Sequence, residues 1–166
     1  MFRSFAIRDL SIFVGTIALW WASLVVDAGS SLASTLSIAA GVGAALCAFN
    51  LHEWGHLLGA HLTDSVYVPA KRLISPFLFA YDAERNSRRQ FLLMSLAGFA
   101  ATAAFVAGFL LWMPQDQAAG RIALRAGLTL AALTVIIEFP LFFRTLFGGA
   151  VPRTGLFKGP TVGGRD

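Results

Sequence analysis

Five consecutive residues, His52-Glu53-Trp54-Gly55-His56, hold the chemistry most legible in this chain. Histidines at i and i+4 share one face of a helix, so both imidazoles can reach a single metal ion. A glutamate between them is placed to take a proton from water at that metal. Zinc is the ion that such a donor set implies, because it lowers the pKa of bound water to about 7. The chain has three histidines and three glutamates, and chance would produce this pattern in about one such sequence in a thousand. The alternative is a polar cluster that joins helices by hydrogen bonds. It is the weaker reading, since ionisable groups at membrane depth cost roughly 2.5–3.5 kcal/mol each and need compensation.

Zinc needs a third protein ligand, and Glu138 is the leading candidate. The second and fourth apolar runs should end on the same side of a bundle, near Leu62 and Phe147. His56 and Glu138 then lie at similar depth, about 9–14 Å inside those ends at the helical rise. Pro140, two residues further on, loosens a helix where a ligand must turn inward. The competing use of Glu138 is an ion pair with Arg125 or Arg144. His61 falls about 140° off the His56 face and Asp64 reads as a helix-end residue, so both rank below Glu138. Asn50 reads as a packing residue.

The elements that must position these groups follow from composition. Of 166 residues, 57% are hydrophobic and 13% charged, with mean hydropathy +0.69. Soluble domains are roughly 25% charged. The runs are far longer than the ~10-residue strands of a membrane barrel, and backbone in lipid must satisfy its own hydrogen bonds. The expected fold is all-α, a polytopic membrane helix bundle occupying residues 1–147. Its spans should cover about 10–26, 32–62, 91–113 and 122–147, with a disordered cytoplasmic tail over 148–166. A cleavable signal peptide ending near Val26-Asp27-Ala28 is the alternative for the first run, but its apolar stretch exceeds the usual 7–15 residues.

Net charge is +4, yet the basic residues form no stripe, which argues against a nucleic-acid partner. With the N-terminus in the cytoplasm, eleven of the thirteen Lys and Arg face inward and only Arg121 and Arg125 face outward. That bias fits the positive-inside rule, both termini cytoplasmic and a bacterial inner membrane. The single Cys47 has no intramolecular disulfide partner. Between the second and third runs, residues 63–90 are polar. Ser65-Val66-Tyr67-Val68 alternates and Phe77-Leu78-Phe79 is apolar, which suits either a short hairpin or an interfacial loop. Gly55 and Gly59 form a small-residue step that reads as packing.

The run from His52 to His61, with Ser95-Leu96-Ala97-Gly98-Phe99 at the third span, resembles the site-2 protease family of intramembrane zinc metalloproteases. The similarity covers roughly residues 36–147. It implies a three-helix catalytic core, Zn²⁺ held by His52 and His56, Glu53 as catalytic acid/base, and a transmembrane or membrane-proximal peptide as substrate. Two departures stand out. Phe99 occupies the place where the family usually has proline. The family's third ligand, an Asp in a later Asn-x-x-Pro…Asp-Gly segment, has no counterpart: after Glu138-Phe139-Pro140 the only acidic residue is Asp166. Either Glu138 substitutes for that Asp or the site is incomplete. In the second case the chain is an inactive relative that serves as a scaffold or accessory subunit for a membrane-protein partner. A transporter is less consistent, because three His and Glu138 give no continuous polar path through the bilayer.

Overall fold

A computed structural model of the protein describes residues 2–152. Helix α1 spans Phe2–Val25, α2 Ser31–Leu62, α3 Arg88–Trp112 and α4 Ala118–Leu146, with two short strands, β1 (Tyr67–Pro69) and β2 (Phe79–Tyr81), between α2 and α3. All four helices are long and apolar enough to cross a membrane. The chain is an all-α integral membrane bundle with almost no sheet. Most of the cytoplasmic tail expected from residue 148 onward lies outside the described residues.

The helices start earlier than hydropathy marks them: α1 at Phe2 rather than near residue 10, α3 at Arg88 rather than 91, and α4 at Ala118 rather than 122. Hydropathy marks the part of a helix that suits lipid, whereas the helix itself begins at its cap. For α3 the cap is a reciprocal pair, with Ser87 Oγ accepting from Gln90 N–H and Gln90 Oε1 accepting from Ser87 N–H at 2.8 Å. Ser30 caps α2 by accepting from Ala33 N–H at 3.1 Å. At the other end of α2, Asp64 adopts a left-handed φ of 50°. Ser65 N–H then returns to Ala60 C=O at 2.9 Å, the reversal that usually recruits glycine.

α2 is the central helix and packs against α1, α3 and α4; α3 and α4 also touch, whereas α1 rests mainly on α2. The reason is in its sequence: Ala33, Ala40, Gly41, Gly43, Ala44, Ala45, Ala48, Gly59 and Ala60 are all buried. Small side chains let three neighbours approach one axis, which is how helices associate where lipid removes the hydrophobic drive. The large apolar residues, Leu46, Leu51 and Leu58 among them, face outward. Asn50 is half-buried.

At the end where α2 stops and α3 starts, β1 and β2 pair antiparallel, with Tyr67 opposite Tyr81 and Pro69 opposite Phe79. Of the two forms open to residues 63–90, the hairpin is the one adopted. Asn86 ties it to the approach to α3, accepting from Val66 N–H at 2.7 Å and donating to Val66 C=O and Asp82 C=O. The segment does more than lie at an interface. Leu78 is fully buried with Phe5, Leu57, Ala60 and Met94, so the loop before β2 folds back alongside α2.

Candidate metal centre

His52 and His56 project from the same face of α2, as their spacing requires, and both are buried. Their Nε2 atoms are 3.0 Å apart. Glu138 reaches them from α4, with Oε1 3.1 Å from His52 Nε2 and Oε2 3.2 Å from His56 Nε2. Its carboxylate meets the histidines instead of Arg125 or Arg144; no arginine pair forms with it among the described residues. His61 and Asp64 are exposed and take no part.

The outer nitrogens of the two rings decide what the cluster can hold. His56 Nδ1 faces the Met94 carbonyl at 3.1 Å, and a carbonyl only accepts, so the ring proton belongs on Nδ1. His52 Nδ1 lies 3.1 Å from the Gly98 carbonyl and 2.8 Å from Thr102 Oγ1, and the carbonyl places its proton on Nδ1 as well. In their neutral forms both rings then turn Nε2 lone pairs toward each other and toward a carboxylate. Four potential acceptor atoms converge on one point, and what balances them is either a metal ion or a proton that makes one ring an imidazolium paired with Glu138. Zinc donors at 2.0–2.2 Å in a tetrahedron stand about 3.3–3.6 Å apart, within a few tenths of an ångström of the separations here. The residues present fit a zinc ion, and carbonyls behind ligating imidazoles are the usual means of fixing their tautomer.

The close approach of α3 that supplies those carbonyls depends on glycine. A Cβ on Gly55 would come 2.8 Å from Ala97 C=O, and one on Gly59 2.8 Å from Met94 Cα. Gly98 is stricter still, because a Cβ there would overlap the His56 ring. The step at Gly55 and Gly59, read as ordinary packing, thus sets the distance between the histidines and their supporting carbonyls. The Ala97-Gly98 pair leaves room for the imidazole. Phe99 packs its ring at a tilt against Phe139, 4.7 Å between centroids, and edge-on against Phe142 at 5.4 Å, which docks α4 on α3 immediately beside Glu138. α4 continues through Pro140.

Glu53 is 4% exposed and stands outside the three-ligand group, next to His52 and three residues before His56 on α2. The backbone of Leu78 approaches its carboxylate. Thr102 and the Met94 carbonyl are parts of the site that the sequence did not disclose. Thr102 was within reach of pattern reading, as one of two hydroxyl residues, with Ser95, in the apolar third span. A backbone carbonyl leaves no trace in side-chain type.

Fold and site together define a polytopic membrane protein with two buried histidines and a partly buried glutamate grouped so that they could hold a metal. Neither the known family models, nor curated proteins, nor solved structures contain a match to this chain.

Proposed function

We propose that the chain is an intramembrane zinc metalloprotease of the site-2 protease kind, hydrolysing peptide bonds of membrane-embedded or membrane-proximal substrates. The observation that carries this reading is the convergence of His52 Nε2, His56 Nε2 and both Glu138 oxygens, in contacts of 3.0–3.2 Å. What zinc supplies when bound is Lewis acidity, enough to bring water's pKa to about 7. His52, His56 and Glu138 would hold the ion. The Met94 and Gly98 carbonyls and Thr102 keep each imidazole in its ligating tautomer and orientation. Glu53, on the next face of the same helix, takes the proton from attacking water and returns it to the departing amine. The burial that shields these groups from bulk water strengthens every charge interaction among them. The site lies nearer the Leu62 end of α2, the end that the Lys and Arg bias favours for the cytoplasmic side; a bacterial inner membrane is the setting proposed for it.

The rival is a catalytically inactive relative acting as a scaffold, motivated by a Glu from α4 where the family uses an Asp from a different motif. One experiment separates them. Protein extracted without chelator should carry about one zinc per chain. Glu53→Gln should retain that zinc while losing 10²–10⁴-fold of peptide hydrolysis, the range for a general base. Glu138→Ala should lose both zinc and hydrolysis. Wild-type protein that takes up no zinc would end the metalloprotease reading; zinc with no hydrolysis, and full biological activity in Glu53→Gln, would leave the scaffold.

A further inference from the structure

A closed circuit of polar contacts runs from one residue of the His-Glu-x-x-His motif back to its neighbour. Trp54 Nε1 donates to Asp9 Oδ2 at 2.8 Å, from α2 to α1. Asp9 Oδ1 accepts from Arg8 Nε at 2.7 Å. Arg8 Nη1 donates to the carbonyls of Leu73 and Ser75, each at 2.7 Å, in the loop between β1 and β2. Ser75 Oγ donates to Phe77 C=O at 2.8 Å. The next residue is Leu78, wholly buried, whose backbone approaches Glu53. Phe77 leans on Phe49, which in turn lies beside the His52 ring.

This circuit ends where the buried Leu78 brings the loop's backbone against the buried Glu53. Leu73 and Ile74 are exposed, and Ile74 is 87% so, so the tip of the loop has little apolar packing of its own. Leu78 packs against Phe5, a residue of α1, and the Arg8 guanidinium lies 4.9 Å above that same ring. One side chain thus stacks on the residue that seats Leu78 and also holds the loop's carbonyls. Arg8 and Asp9 are largely shielded, with side chains 20% and 11% exposed. The fixed fork of arginine suits this task, since it serves a carboxylate and two carbonyls at once; a lysine ammonium has no such planar spread of donors.

We propose that Arg8 is a positioning residue that fastens the 73–78 loop over Glu53, and that an extended peptide reaches the site by displacing this loop from its Arg8 latch. The role of the loop as a substrate cover rests on the proposed hydrolytic reading; the latch does not. The test therefore reads access without metal or activity. Leu78→Cys in a Cys47→Ala background places a thiol at the most buried point of the cover. Ala40→Cys in the same background places one at an equally buried point in the far half of α2. In detergent-solubilised protein, Arg8→Gln should speed modification of the thiol at position 78 by a hydrophilic maleimide at least about tenfold. That is the scale expected when charge-assisted hydrogen bonds holding a local cover are lost. The thiol at position 40 should keep its rate, and Arg8→Lys should fall between wild type and Arg8→Gln. Unchanged labelling at position 78, or an equal rise at both positions, would overturn the latch. Absent zinc or absent hydrolysis with the tenfold rise intact would overturn only the enzyme reading.

Discussion

The two halves of α2 are built from similar small residues yet do different work. In the first half, Gly41 lies against Ile122 and Ala119 of α4 and Gly43 against Thr16 of α1, and the contacts are close packing. Beside them α1 and α3 stand apart, leaving an apolar groove of about 560 Å³ lined by Phe13, Ile17, Leu51, Phe105 and Phe109 among others. In the second half, Gly55 and Gly59, with Gly98 of α3 opposite, bring α3 so near that its carbonyls become partners of histidine side chains. Small residues in a membrane interface create proximity. What the proximity is used for depends on whether a polar side chain shares the face.

The comparison breaks most readily at Gly98. Alanine there must displace the His56 ring, so Gly98→Ala should weaken zinc binding by more than about 100-fold, beyond the usual effect of an outer-shell change. Gly15→Ala meets nothing within 4 Å and should leave zinc affinity unchanged. Titration with a zinc-competing chelator measures both. A smaller effect is expected at Thr102. Thr102→Val removes one partner of His52 Nδ1 but keeps the Gly98 carbonyl, and affinity should fall about 10–100-fold with little change in thermal stability. Parallel chelator titration and thermal unfolding separate those outcomes. The smallest effect belongs to the far half. Trp20→Phe deletes the bond from Trp20 Nε1 to Gln117 Oε1, 3.0 Å long, and should cost about 0.5–1.5 kcal/mol without altering zinc affinity. A measurable loss of zinc in that variant would show that the two halves are coupled, and that α1 sets more than the cover over Glu53.

Much of the architecture was legible because lipid imposes it. Four apolar runs of spanning length can only be helices, and the chain folds as four. Their starts were less legible, since caps such as Ser87 with Gln90 lie in segments that hydropathy scores as polar. The hairpin could be read only as one of two options. Its three-residue strands are too short for a pattern to decide, and the burial of Leu78 that fixes it comes from α1, α2 and α3. At the site, His52, Glu53 and His56 announced themselves because helical geometry converts spacing into adjacency. Glu138 was readable by depth but not by direction: rise per residue gives a level in the membrane, and the azimuth of a helix depends on what it packs against.

Sequence by itself determined that this chain lives in a bilayer, that two imidazoles share a helical face, and that an acid from the last span lies at their level. These follow from local rules of rise, turn and hydration that hold for any helix. Tertiary structure alone decided that the acid meets the imidazoles, that Met94 and Gly98 turn their carbonyls toward the rings, and that Arg8 reaches the loop beyond the motif. Each of these is a contact between residues 38 or more positions apart, fixed by how closely and at what rotation whole helices settle together. No single segment encodes that.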